Sequence, residues 1–211
     1  MSISWHTHVS GNALSHLAVV HTMETKPTIG LLVGSLRRDS YSKKVANYLA
    51  DALADQFNVV RVDISDLPLY NEDLDHEGVL PPQWTRLRSD IGALDGVIFV
   101  TPEYNRSLPA VLKNAMDVAS RPYGANQWSG KPGAVISVSP GNLGGFGANH
   151  HLRQVATVLN INMMQQPEAY VSGIATAVDA DGVTDEKMQG FLTQIAQSYA
   201  GWFKQLTSVS A

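Results

Sequence analysis

The chain is expected to fold as an α/β domain, with helices wound on both sides of a five-stranded parallel sheet. Three observations point there. Short β-branched apolar runs alternate with helical patterns from Thr28 onward. The third run, Gly96 to Thr101 (GVIFVT), is apolar throughout, as a central strand covered on both faces should be. No repeat, linker or low-complexity tract divides the 211 residues, a length that suits one domain with a full core.

The elements follow in order. The first strand, Ile29 to Val33, ends at Gly34, and a polar loop runs from Ser35 to Ser40. A helix then places Val45, Tyr48, Leu49 and Leu53 on one face. Phe57 to Ile64 (FNVVRVDI) reads as the second strand, and the Asp-, Pro- and Asn-rich stretch from Ser65 to Pro82 as a loop. Gln83 to Leu94 is the next helix. After the GVIFVT strand, Leu108 to Ala119 is helical, with Leu112, Ala115, Met116 and Ala119 aligned and Ser107 placed to cap it. Gly133 to Val138 is the fourth strand, and a helix from Gly144 to Leu159 stands behind a glycine-rich loop. The fifth strand and its extension lie within Asn160 to Val171. Thr184 to Leu206 closes the chain as an amphipathic helix, opened by a hydroxyl cap and first-turn acids in TDEK.

Composition narrows the function. A formal net charge of -4 gives no electrostatic case for nucleic acid or an anionic membrane surface. The 0 cysteines exclude disulfides, thiolate metal sites and cysteine nucleophiles, and are compatible with the cytoplasmic location expected here. No apolar run approaches the roughly 20 residues that span a bilayer. Residues 1–26 carry His6, His8, His16 and His21 and are expected to form a flexible extension ahead of a domain over 27–211. The His6-x-His8 pair lacks a third ligand at useful spacing, so no metal site is expected. Met23 is an alternative start.

In a doubly wound sheet, ligands bind beyond the carboxyl ends of the strands, where the strand order switches. Three loops there have unusual composition. The first, after strand one, combines Ser35, Ser40 and Ser42 with Arg37 at a helix N-terminus, where free N–H groups and a partial positive charge favour an anion. Arg37 can clamp a phosphate bidentately; the alternative is a plain helix cap beside a surface charge. The second is TPEYNRSLP: Pro102 stiffens the strand end, while Glu103, Tyr104 and Asn105 can meet a flat heteroaromatic with backbone groups and an aromatic wall. The third, SPGNLGGFG, contains Ser139, Gly141, Gly144 and Gly145, and its glycines allow close backbone approach. A dinucleotide fingerprint and a Walker loop are both excluded, because neither spacing occurs where it is needed.

Four stretches in order then carry a resemblance: Gly34-Ser35-Leu36-Arg37 with Ser40, Leu67 to Asp73 (LPLYNED), Thr101 to Asn105 (TPEYN), and Leu112 to Asp117 (LKNAMD). Over about residues 27–206 the chain resembles the NAD(P)H-dependent FMN reductases of flavodoxin-like fold, in the subgroup described as quinone or chromate reductases. The resemblance implies a sheet of order 2-1-3-4-5 and non-covalently bound FMN. It places Ser35, Arg37, Ser40 and Ser42 at the phosphate, Pro102, Glu103, Tyr104 and Asn105 at the flavin edge, and Ser139, Gly141, Gly144 and Gly145 in the third flavin loop. Ser42 departs from the family, which often has Asn there. The resemblance further implies NAD(P)H as co-substrate and ping-pong reduction of quinones, chromate, azo compounds or free flavin. No protein catalytic residue and no metal are expected. The partner is a small-molecule electron acceptor, and the assembly a homodimer or homotetramer; Trp84, Tyr123, Trp128, Met163 and Met164 are candidate contact residues, with core packing the competing reading for each.

Two other readings compete. An electron-carrier flavodoxin would bind the same cofactor without NAD(P)H turnover, but the Arg37 loop argues against it. A non-catalytic α/β binding module would be colourless and indifferent to FMN. Lys113 and Asp117 are expected to pair along their helix, and Glu72, Asp73, Asp75 and Glu77 to form a solvated acidic loop.

Overall fold

A computed structural model describes residues 26–76 and 78–208. The expectations for the N-terminal histidines, Met23 and Glu77 fall outside the described residues. Within them the chain runs β1 (Thr28–Val33), α1 (Tyr41–Leu53), β2 (Asn58–Arg61), α2 (Pro82–Gly92), β3 (Gly96–Pro102), α3 (Ala110–Ala119), β4 (Pro132–Val138), α4 (Phe146–Val158), β5 (Asn162–Met163), β6 (Ala169–Val171) and α5 (Glu186–Thr207).

The strands are parallel in the order β2-β1-β3-β4-β5, as expected, and β6 also pairs with β4. The fifth position is shared. β5 pairs with Pro132 and Gly133 at the start of β4, and β6 with Ile136 to Val138 at its end. The break falls at Met164 to Glu168, where Gln165-Gln166-Pro167 leaves the ladder; proline has no N–H to contribute to it.

The pleat sends alternate residues to opposite faces, and each face has its own core. Ile29, Leu31, Val33, Ile98, Val100 and Ile136 pack under α1 and α5, with Leu49, Leu53, Ile195, Tyr199 and Phe203. Leu32, Val97, Phe99 and Val135 pack under α2, α3 and α4, with Trp84, Leu87, Ile91, Leu112, Trp128 and Leu152. The result is a three-layer sandwich. Trp84 and Trp128 are fully buried in it, so these two candidate contact residues are core residues. Each indole N–H is satisfied internally, by Pro68 O at 3.0 Å and Met116 O at 3.0 Å. Tyr123 is the reverse, 94% exposed.

Several local expectations change. The cap of α5 is Asp185, whose carboxylate accepts from Met188 N at 2.8 Å; Thr184 turns back to Ala177 O. Helix α3 starts after Pro109 and has no side-chain cap, because the Ser107 hydroxyl is hydrogen-bonded to His151 Nδ1 at 3.0 Å. Lys113 and Asp117 do pair, at 2.7 Å. In the acidic loop, Asp75 is not solvated: its side chain is 6% exposed and holds Arg88 in a two-pronged ion pair, with both contacts at 2.8 Å.

Candidate functional site

Parallel pairing brings the loops after β1, β3 and β4 to one edge. Val33 is registered with Val100, and Gly34 N donates to Val100 O at 2.9 Å. Pro102 is registered with Val138, and Ser139 N donates to Val171 O at 2.9 Å. All twelve residues expected at the site therefore lie along one rim, on neighbouring strand ends or the first turn of α1.

In the first loop, Ser40 is the N-cap of α1, and its Oγ accepts from Lys43 N at 3.3 Å. Ser35 and Ser42 are buried, at 4% and 1% exposure, yet neither hydroxyl hydrogen-bonds to another described residue. Neither oxygen is a buried orphan, since among the described residues only Arg86 Nε is; both hydroxyls are instead accessible and free to donate to a ligand at the helix N-terminus. Arg37 is exposed and makes no ion pair or hydrogen bond with the described residues. Free donors, an unpaired guanidinium and the positive end of α1 are the chemistry a phosphate dianion requires.

The second loop is a tight hairpin. Tyr104 and Ser107 exchange backbone hydrogen bonds at 3.0 Å each way, while Asn105 and Arg106 occupy positive φ, at 51° and 65°. Two positive-φ residues make a type I′ turn, normal for Asn and strained for Arg. The turn lifts the Tyr104 ring to 47% exposure, where it can wall a planar ligand. Pro102 is half-buried behind it.

The Glu103 side chain has a different task. Its Oε2 accepts from Ala148 N at 3.1 Å, in the first turn of α4. That helix begins at Gly145 and has no side-chain cap of its own, so Glu103 supplies one from a distant strand. Its Oε1 lies 3.4 Å from the exposed Arg106 guanidinium, so both carboxylate oxygens have protein partners.

The third loop closes the rim. Ser139 Oγ accepts from Gly141 N at 3.1 Å, and Gly141 O accepts from Gly144 N at 3.3 Å. Gly144 and Gly145 are left-handed, at φ 57° and 78°. A Cβ on Gly144 would stand 2.8 Å from the Tyr170 carbonyl carbon, so the loop lies directly on β6. Phe146 is half-exposed and packs against His150, with centroids 4.1 Å apart. Behind it, the Tyr170 hydroxyl is pushed up in pKa by burial and by its Glu168 neighbour, and lies 2.9 Å from His150 Nε2.

Sequence reasoning did not assign the roles of Gly147, His151 and Asn114. Gly147 lies against Arg106 O and Glu103, where a side chain has no room. His151 fastens α4 to the hairpin through Ser107. Asn114 receives Tyr70 N at 2.8 Å and donates to Pro68 O at 3.0 Å, fixing the LPLYNED loop against α3. Only its place in the LKNAMD stretch marked it.

A family model for NADPH-dependent FMN reductase matches residues 27–176. The chain belongs to the NADPH-dependent FMN reductase family. A quinone reductase of Pseudomonas putida is 49% identical over 178 residues, covering 84% of this chain and 95% of that relative. A 2-hydroxy-1,4-benzoquinone reductase from a Burkholderia species is 44% identical over 177 residues, covering 83% and 96%. Among solved structures, the flavoenzyme NAD(P)H:(acceptor) oxidoreductase FerB of Paracoccus denitrificans matches with a TM-score of 0.79 at 40% identity, over 85% of this chain and 98% of that one. A flavodoxin from Pseudomonas aeruginosa shares the fold, with a TM-score of 0.55 at 17% identity. This member of the family is thus an FMN- and NAD(P)H-dependent oxidoreductase of flavodoxin-like fold. No described helix is long and apolar enough to cross a membrane, and no described cluster of His, Asp or Glu has a metal-binding arrangement.

Proposed function

We propose that this reductase uses NAD(P)H to reduce quinones by two electrons, with FMN held across the three loops at the sheet's carboxyl edge. The single observation that carries the site is the cluster of free donors at the start of α1: the Ser35 and Ser42 hydroxyls, without a partner among the described residues, beside the unpaired Arg37. In this reading Ser35, Arg37, Ser40 and Ser42 hold the phosphate. Pro102, Glu103 (through its backbone), Tyr104 and Asn105 meet the edge of the ring, and Ser139, Gly141, Gly144 and Gly145 line its other side. Bound FMN supplies hydride acceptance and delivery; the protein positions it and shapes access.

Quinone is the preferred acceptor on two grounds. Two of the relatives named above are quinone reductases by name, and the exposed apolar side chains around the rim (Leu36, Tyr104, Leu143 and Phe146) suit a flat neutral aromatic better than an oxyanion such as chromate. Azo compounds and free flavin fit the same open edge less selectively. Donor and acceptor use that edge in turn, which is ping-pong turnover. Assembly as a homodimer or homotetramer and a cytoplasmic location complete the reading.

The test is direct. Protein isolated yellow, or taking up FMN with a flavin spectrum, should oxidise NADPH only when a benzoquinone is supplied in the absence of oxygen. Initial rates at several fixed NADPH levels should give parallel double-reciprocal lines. Converging lines would refute alternating use of one edge. Protein that neither retains nor binds FMN would return the chain to a non-catalytic role.

A further inference from the structure

A cleft of about 550 Å³ opens on the far side of the first loop, between that loop and the end of β2. Ser35 forms part of its wall, so it is continuous with the phosphate cradle. Val62 is buried in its wall, the exposed Leu36 stands at its edge, and Lys43, Arg61 and Asp63 also line it. Neither cation is paired with a carboxylate among the described residues: Lys43 Nζ makes a long 3.4 Å contact with Leu36 O, and one Arg61 nitrogen donates to Asn47 Oδ1. Asp63 is held in place by Ser65, whose N–H and hydroxyl donate to it at 2.9 Å and 2.7 Å.

The sheet order gives the cleft a meaning. The ring-edge loops stand over β3 and β4, the phosphate cradle over β1, and the cleft over β2. Neighbouring strands lie about 4.8 Å apart, so the ends of β4 and β2 are separated by roughly 14 Å. In the proposed placement, FMN would span the β4-to-β1 part of that line. A nicotinamide dinucleotide is longer by a second nucleotide. With its nicotinamide over the ring, it reaches one strand further.

We propose that this cleft receives the phosphorylated adenosine end of NADPH, with Arg61 and Lys43 clamping the 2′-phosphate and Asp63 accepting from the ribose. The exposed Leu36 side chain at the edge gives the purine an apolar face. Arg61 keeps four further N–H donors for a phosphate, and Lys43 sits within the first turn of α1, where the helix dipole adds to its charge. The two cations outnumber the acid, so the cleft favours the dinucleotide bearing the extra dianion. NADH has a ribose hydroxyl there and gains only Asp63. This assignment rests on the reading that the protein oxidises NAD(P)H.

The test uses the full chain loaded with FMN. Calorimetric titration with 2′,5′-ADP measures the cleft alone, with 5′-AMP as the comparison lacking the 2′-phosphate. Native protein should bind 2′,5′-ADP more tightly than 5′-AMP. Arg61→Gln should weaken 2′,5′-ADP about tenfold, the range of one lost charge-assisted contact, and Lys43→Gln should weaken it in the same direction. In steady state, both variants should lower kcat/KM for NADPH by a similar factor while NADH changes less than about twofold. Equal affinity for the two nucleotides, or an NADPH-to-NADH ratio unmoved in both variants, would overturn the subsite and leave the reductase reading standing. Oxidation of neither dinucleotide by FMN-loaded native protein would overturn the reading beneath it as well.

Discussion

Glu103 reaches from the end of β3 to the first turn of α4, where its carboxylate accepts from Ala148 N at 3.1 Å across 45 residues of sequence. The contact makes one unit of the hairpin that presents Tyr104 and the helix behind the glycine loop. Since α4 begins at a glycine with no side-chain cap, the acid is both its cap and the counter-charge to its dipole. Replacing Glu103 by Ala should cost about 1 kcal/mol. For a chain of this size that is roughly 2–4 °C in Tm, read on protein stripped of FMN. Gln keeps an acceptor and should recover most of it. An Ala variant melting with the native protein would show that the cap contributes nothing.

Arg37 and Ser40 differ in what they do without ligand. Ser40 already caps α1, whereas Arg37 makes no described contact. Ser40→Ala should therefore lower the stability of FMN-free protein by about 1 kcal/mol. Arg37→Ala should leave that stability within about 0.5 kcal/mol, as exposed substitutions do, and weaken FMN binding by roughly 1.5–3 kcal/mol. Fluorescence quenching of FMN gives the dissociation constant. An unchanged value in the Arg37 variant would remove it from the phosphate.

These two residues also show what a sequence can reveal. A helix N-terminus rich in hydroxyls, with an arginine in the loop, is local chemistry and is visible in Ser35 to Ser42. The parallel, doubly wound sheet followed from alternation and from the all-apolar GVIFVT run, because a strand covered on both faces leaves no polar positions; its order came only with the family resemblance. What stayed hidden is non-local. Ser107 was expected to cap α3, but its hydroxyl is taken by His151, 44 residues away. Asp75 looked like one of several solvated acids until Arg88 from α2 buried it. Trp84 and Trp128 stayed open between interface and core while their indole partners, Pro68 O and Met116 O, were unknown. The fifth strand was legible as a region, but its division between the two ends of β4 depends on pairing that no local pattern encodes.

The Asp75–Arg88 pair predicts a pH dependence. Hydrogen bonds from the Arg88 guanidinium hold the Asp75 carboxyl below the usual carboxylate range, and the Tyr70 hydroxyl adds to the effect. A carboxyl with a depressed folded-state pKa contributes stability that is present above its unfolded value of about 3.9. That contribution fades as pH falls toward the folded value. Native protein should thus lose stability below about pH 4. Asp75→Asn should lose it at neutral pH instead, by about 3 kcal/mol, because Arg88 is left 12% exposed without its partner. Denaturant melts at pH 7 and pH 4 separate the two. A variant as stable as native protein at pH 7 would show the pair to be energetically idle.

Gly147 and Gly190 both lie in helices, so helix propensity alone predicts that alanine stabilises each by about 0.5–1 kcal/mol. Their surroundings differ. A Cβ on Gly190 meets nothing within 4 Å, and the gain there should appear undiminished. A Cβ on Gly147 would stand 2.6 Å from Arg106 O and 3.0 Å from Glu103 Oε2. Arg106 O is backbone, in a turn already strained at positive φ, so it cannot yield as the end of a flexible side chain would. The hairpin must move off α4, taking Tyr104 with it. Gly147→Ala should therefore lower Tm where Gly190→Ala raises it, and should weaken FMN while Gly190→Ala leaves the affinity alone. If both alanines raised Tm and neither touched the flavin, the hairpin would not be braced by α4, and the second loop would be free of the third.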